Sequence, residues 1–148
     1  MAAVVLFAIG GVGYYVYSKN VTNKTTTTTS TAKQAAPAQK HVSKVEFSND
    51  TDNSGAAVNP TTTFTANTPK INTVVSLQNV KKDARVSYTR YLNDKYVDNG
   101  GLTVAKDNAA YTGFDFTLKT GKTHPIGTYT VKIYVNGDYQ TSAKYSVK

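Results

Sequence analysis

The chain has 148 residues, enough for one domain with attached segments. It contains no cysteine, so disulfide bonds, thiolate metal sites and a lipid-carrying cysteine are excluded. Lys and Arg outnumber Asp and Glu by 17 to 9, and the net charge of +8 attracts anionic partners only weakly and without sequence preference; plain solubility is the alternative explanation. The abundance of Thr, Ser, Asn, Tyr and Val favours strands and turns over helices.

The first predicted element is a hydrophobic segment, residues 2–17, that no charged residue interrupts. As a helix it spans roughly 24 Å, just short of a hydrocarbon core of about 30 Å. One end carries side chains typical of the headgroup layer, namely Tyr14, Tyr15, Tyr17 and Lys19. The segment predicts a single transmembrane helix over residues 1–18, and we expect the natural N-terminus to extend before Ala2.

Three other interpretations of this segment stay open. A cleaved signal peptide would begin with basic residues, which this segment lacks, although Gly11 and Gly13 have the spacing of the small residues at a cleavage site. A type IV pilin stalk is normally longer and carries an acidic residue near its start. A buried core helix needs further helices to cover it, and the rest of the chain predicts none.

Residues 19–40 are Thr-rich and have no aromatic side chains. Such a stretch cannot bury enough apolar surface to offset the entropy of ordering it, so it predicts a flexible linker. Its Thr run also resembles an O-glycosylated stalk in composition, and Asn20 and Asn23 begin N-x-Thr sequons.

Residues 41–148 predict an all-β domain of about seven short strands separated by turns rich in Asn, Asp, Gly and Pro. The runs with apolar alternation are residues 41–47, 71–80, 84–92, 101–105, 112–118, 127–135 and 139–147. No apolar stripe of helical period follows residue 18. This pattern is typical of an antiparallel β-sandwich.

The last two runs predict a β-hairpin. Asn136-Gly137 forms its turn, because a type I′ turn needs positive φ at both positions. The alternation sorts the side chains of the two strands into faces. Tyr129, Val131, Ile133 and Val135 share one face, Thr128, Thr130, Lys132 and Tyr134 share the other, and Tyr139, Ala143, Tyr145 and Val147 align on the return strand.

The segment from residue 42 to 148 resembles the immunoglobulin-like domains of bacterial cell-surface proteins. The resemblance rests on Thr68-Pro69-Lys70-Ile71, on residues 86–97 and on Gly127-Thr-Tyr-Thr-Val131. It implies that Tyr129 forms a tyrosine corner, bonding back to the chain upstream. Related domains often place a Trp in the third strand, whereas this chain has no Trp and has Arg90 or Tyr91 near that place.

The sequence offers little catalytic or metal-binding chemistry, and we expect neither an enzyme nor a cofactor. His41 and His124 have no partner at metal-ligand spacing. Asp50, Asp52 and Ser54 copy the first half of a calcium loop, but Thr61 stands where such a loop needs Glu. An ordinary turn rich in Asn and Asp is the favoured interpretation of these residues.

Aromatic and cationic side chains of the strands are the candidates for a ligand or partner surface: Tyr91, Tyr96, Tyr134, Arg85, Arg90, Lys95 and Lys132. Exposed Tyr beside Lys or Arg contacts sugars, proteins or single-stranded nucleic acid, of which nucleic acid is the least favoured partner here. The alternative is cross-strand pairing that stabilises the sheet.

These observations predict a non-enzymatic module for adhesion or recognition at the cell envelope. The resemblance and the linker place its C-terminal domain outside the cytoplasm, on a single-pass membrane anchor. The alternative is an accessory or structural subunit of a membrane or pilus-type surface assembly. In that case Gly10, Gly11 and Gly13 would allow close packing against partner helices.

Overall fold

The computed structural model describes residues 39–148. The predictions for the membrane span, for the interface residues Tyr14, Tyr15, Tyr17 and Lys19, and for nearly all of the linker lie outside the described residues. Within residues 39–148, no helix is long and apolar enough to cross a membrane.

The described part of the chain is all-β, as the composition and turn pattern predict. Its strands are β1 (Val42–Ser48), β2 (Asp50–Thr51), β3 (Ala57–Val58), β4 (Thr63–Phe64), β5 (Lys70–Leu77), β6 (Arg85–Leu92), β7 (Lys95–Thr103), β8 (Tyr111–Thr117), β9 (Gly127–Val135) and β10 (Asp138–Val147). The sequence predicted only the end of β7, and the three shortest strands, β2, β3 and β4, carry no alternation long enough to predict them.

The strands form two main sheets and a small hairpin. One sheet has the order β1-β5-β8, the other has the order β4-β10-β9-β6-β7, and β2 pairs with β3 alone. All pairs are antiparallel except β4 with β10, which is parallel. This strand order, with β9 and β6 central in the larger sheet, is that of an immunoglobulin-like β-sandwich.

The inner faces of the two sheets form one apolar core. On β5 this core includes Ile71, Thr73, Val75 and Leu77, all buried, and on β9 it includes the predicted face of Tyr129, Val131, Ile133 and Val135. On β9 every second side chain is buried because successive side chains point to opposite faces, whereas on β5 Asn72 and Val74 of the opposite face are buried as well. Within residues 39–148, both main sheets contribute side chains to one shared apolar core.

One prediction of the hairpin is wrong. The turn at Asn136-Gly137 has the predicted positive φ at both residues, 51° and 90°. However, the pairing of β10 with β9 shifts between Tyr139 and Thr141, so the return strand contains an irregularity. Tyr139 therefore lies on the opposite face from Ala143, Tyr145 and Val147, and it is 55% exposed.

The connections at one end of the sandwich form a loop pole, made of residues 39–41, 78–84 and 104–110 and the Asn136-Gly137 turn. His41 N–H donates to the Gln140 side chain at 2.7 Å, and its carbonyl accepts from Gln78 N–H at 2.9 Å. The described chain therefore begins at the loop pole, while both outer sheet faces lie to the side of it.

Candidate functional site

The outer face of the larger sheet carries the candidate surface. We call it the tyrosine–lysine face and define it by Tyr91, Tyr96, Lys132, Tyr134 and Tyr139. The register places Tyr91 opposite Tyr96, Thr89 opposite Lys132, Ser87 opposite Tyr134, and Tyr134 opposite Tyr139. The sheet thus gathers onto one surface side chains from four strands.

Aromatic and cationic contacts order this face. The rings of Tyr91 and Tyr96 meet edge to face at 6.3 Å, and those of Tyr134 and Tyr139 do so at 5.8 Å. Lys132 Nζ lies 4.9 Å from the centre of the Tyr91 ring, within the range of a cation–π contact. The cross-strand pairing that the sequence offered as an alternative is therefore present, and it holds the rings at fixed positions.

The charge of this face is one-sided. Lys144 and Arg85 also lie on outward positions, and Arg85 extends over Gly101. Among the described residues, no outward position of β6, β7, β9 or β10 holds Asp or Glu. Rings half-buried or exposed beside unpaired amines suit an anionic or hydroxyl-rich partner.

Two of the predicted surface residues lie elsewhere. Lys95 is exposed, but it pairs with Leu92, whose side chain packs against the core, so it lies at the rim away from the outer face. Arg90 is the clear correction, because its side chain points into the sandwich and is only 11% exposed. The strand β6 alternates, so Arg90 must take the face opposite that of Tyr91.

Inside the sandwich, Arg90 packs against aromatic side chains of the core. Its guanidinium lies 3.8 Å from the centre of the Phe116 ring, so its planar group packs like an aromatic side chain. Nε donates to Asp98 at 3.0 Å, a second nitrogen donates to the same carboxylate, and a third donates to the Tyr145 hydroxyl at 3.3 Å. The bidentate contact with Asp98 balances the buried charge.

Burial and hydrogen bonding around Arg90 shift the pKa values of its neighbours. Burial acts to lower the pKa of Arg90, but its hydrogen bonds to Asp98 and Tyr145 outweigh this and raise it. Burial raises the pKa of Tyr145 to about 12, although the charge of Arg90 opposes the change. Burial, followed by the charge of Arg90, lowers the pKa of His124. These groups stabilise the core and do not reach solvent as a binding surface.

The tyrosine corner that the resemblance implies is present. The Tyr129 hydroxyl donates to the carbonyl of Pro125 at 2.9 Å, four residues upstream, and its ring stacks on Tyr145 at 4.8 Å. This bond ties the loop before β9 to the core.

The segment with Asp50, Asp52 and Ser54, which resembles the first half of a calcium loop, folds as a turn. Asp52 Oδ1 accepts from Ser54 N–H at 2.8 Å, from the Ser54 hydroxyl at 2.6 Å and from Ala56 N–H at 3.0 Å. These bonds lower the pKa of Asp52, the Ser54 hydroxyl contributing most. One Asp52 oxygen is thus occupied by the turn itself. Among residues 39–148, no group of three His, Cys, Asp or Glu side chains could hold a metal ion.

Comparison with known proteins found matches in structure and none in sequence. No protein-family model and no curated protein matches the sequence. An immunoglobulin-like protein from Pseudomonas aeruginosa matches in structure with a TM-score of 0.46 and 11% identity, over 74% of this chain and 95% of that one.

A second match is a Pseudomonas fluorescens alkylpurine DNA glycosylase bound to DNA with an abasic site analogue, with a TM-score of 0.42 and 15% identity. It covers 59% of this chain and 28% of that one, so this chain spans less than a third of the glycosylase.

Proposed function

We propose that this protein is a membrane-tethered, extracytoplasmic module that recognises an extended anionic polymer at the cell envelope, without catalysis. The observation that carries the proposal is the tyrosine–lysine face. It combines ordered rings with amines that have no carboxylate beside them on the outward strand positions. The hydrophobic segment before the domain and the Thr-rich stretch that follows it supply the anchor and the spacer.

The shape of the face suits a polymer better than a compact ligand. Neighbouring strands lie about 4.8 Å apart, so side chains on β7, β6, β9 and β10 span about 14 Å across the sheet. Several repeat units of a chain then contact the face at once, and each weak contact adds to the binding through high effective concentration. The described chain begins at the loop pole and not on this outer face.

Retention on a charged polymer tests the proposal. Residues 39–148 are passed over immobilised alginate, an anionic polysaccharide, and over immobilised dextran, a neutral one. Because both the cation and the ring it covers belong to the face, we expect Lys132→Ala and Tyr91→Ala each to weaken alginate binding about tenfold, with little retention on dextran.

Lys119→Ala is the matched control, since it removes the same charge from an exposed loop outside the sheet. Equal losses for Lys119→Ala and Lys132→Ala would show that net charge alone causes retention and would overturn the proposal. Stronger retention on single-stranded DNA than on alginate would also overturn it and would favour nucleic acid as the partner.

The alternative role, a subunit of a surface assembly, is favoured by a different feature. The strand β7 forms the edge of the larger sheet, and the exposed side chains there include Tyr96 and Val97, 60% and 40% exposed. A free edge offers backbone groups to a strand from another chain. A photo-crosslinking residue at Val97 in membranes of the source cells tests this role. A single specific adduct would support it, and labelling indistinguishable from that of a residue at Lys119 would contradict it.

A further inference from the structure

The smaller sheet carries a second surface feature, which the proposed function does not use. On its outer face lies a cleft of about 280 Å³ between β5 and β8, beside the β2–β3 hairpin. We call it the β5–β8 cleft and define it by Asn72, Val74, Tyr111, Gly113 and Asp115. The register places Asn72 opposite Asp115 and Val74 opposite Gly113, so the polar pair and the apolar pair are adjacent.

At the floor of the cleft Val74 is only 1% exposed, so its side chain is already covered. Gly113, directly across from it, is exposed and has no side chain, which leaves room above the backbone of β8. At one end lies Gly55, which turns with φ of 87°, and a Cβ added to it would be in ordinary van der Waals contact with the Tyr111 Cβ, at 3.7 Å. The hairpin therefore borders the cleft at Tyr111.

The polar groups of the cleft have unused hydrogen-bonding capacity. Asn72 is only 8% exposed, yet the single hydrogen bond that its side chain makes within residues 39–148 is a long one of 3.5 Å, from its amide nitrogen to Ser48 O. Asp115 Oδ2 accepts from the Thr117 hydroxyl at 3.0 Å, and Oδ1 accepts from no group among the described residues. An amide that both donates and accepts thus lies beside a free carboxylate oxygen.

The charge of this outer face differs from that of the tyrosine–lysine face. Lys70 lines the cleft together with Asp115, and Lys44 pairs with Glu46 at 2.7 Å on the same sheet. Positive and negative groups are therefore mixed, and the face gives no general attraction to anions.

We infer that the β5–β8 cleft binds one neutral pyranose unit of a glycan. Adjacent sugar hydroxyls can donate to the Asp115 carboxylate and exchange hydrogen bonds with the Asn72 amide. The partly exposed Tyr111 ring can pack against the C–H face of the sugar. This site lies on the opposite sheet from the tyrosine–lysine face and does not depend on the proposed function.

Amide NMR spectra of 15N-labelled residues 39–148 test the inference, with four methyl glycosides as probes: those of glucose, galactose, mannose and N-acetylglucosamine. At least one should shift the amide signals of Tyr111 and Gly113 with a dissociation constant on the order of 1 mM. Asp115→Ala and Tyr111→Ala should each weaken it about tenfold or more. Both side chains are exposed, so we expect both variants to fold. The dispersion of the amide signals in each variant's spectrum checks this.

Asp138→Ala is the matched control for the lost carboxylate, because Asp138 is exposed at the distant hairpin. This control and Lys132→Ala should bind the sugar as the unmodified chain does, even though Lys132→Ala should bind alginate about tenfold more weakly. The inference is overturned if no glycoside shifts Tyr111 and Gly113 at about 20 mM. Shifts that survive both cleft variants, or that fall only on the tyrosine–lysine face, would overturn it as well.

Discussion

Replacing Tyr129 with Phe removes one hydroxyl group and leaves the buried ring in place. The hydroxyl donates to Pro125 O at 2.9 Å, and the ring is only 2% exposed and stacks on Tyr145. The variant therefore isolates the hydrogen bond of the tyrosine corner from the packing of the ring. Burial raises the pKa of Tyr129, so the hydroxyl remains protonated at neutral pH and acts as a donor.

The loss of stability in Tyr129→Phe depends on whether the Pro125 carbonyl finds another hydrogen-bond donor. A neutral intramolecular hydrogen bond contributes about 0.5–1.5 kcal/mol net, and a buried group left without a partner costs about 1–3 kcal/mol. Pro125 is exposed, so water can reach its carbonyl in the variant. We therefore expect Tyr129→Phe to lower the free energy of unfolding by about 1 kcal/mol, not by the larger value.

Urea denaturation of residues 39–148, followed by circular dichroism, measures this change. A loss of about 1 kcal/mol should lower the urea midpoint by about 0.5 M, with an unchanged slope. The matched control is Tyr134→Phe, whose hydroxyl makes no hydrogen bond to the described residues and whose ring lies on the outer face. Equal midpoints for the two variants would refute the assigned role of the corner. A loss above about 3 kcal/mol would show that the hydroxyl supports more than this one bond.

Three further predictions concern stability and its dependence on pH. Gly137→Ala should lower the free energy of unfolding by about 1 kcal/mol, as measured by the urea midpoint, because alanine disfavours the φ of 90° at this position. The added methyl group causes no clash, since no atom lies within 4 Å of it. The pKa of His124 is lowered in the folded state, so as the pH falls the unfolded chain takes up this proton before the folded chain does. The free energy of unfolding should therefore decrease as the pH drops below about 6.5, and this decrease should be smaller in His124→Gln. The pKa of Tyr145 is raised from 10.0 to about 12, so the free energy of unfolding should fall by up to about 2–3 kcal/mol as the pH rises through this range. Denaturation curves at alkaline pH should show that Tyr145→Phe lacks this loss.

The sequence by itself determined the strands that repeat a strict alternation. The faces of β9 follow from its pattern, because side chains in a strand must alternate whatever lies around them. The Asn136-Gly137 turn follows from the need for positive φ at two successive residues. The resemblance implied that Tyr129 forms a tyrosine corner, a local motif whose donor and acceptor lie only four residues apart. Local constraints of this kind survive in any fold that the chain adopts.

Tertiary structure alone decided which face of a strand is inside and which distant residues meet. Alternation separates Arg90 from Tyr91, but only the packing of β6 against Phe116 places the charged side chain in the core. The irregularity in β10 turns Tyr139 outward, and nothing in its own alternation indicates this. Asn72 and Asp115 form a polar pair because β5 and β8 lie side by side, although they are far apart along the chain. Such pairings depend on the closure of long loops around a shared core, which the chain satisfies only when it is folded.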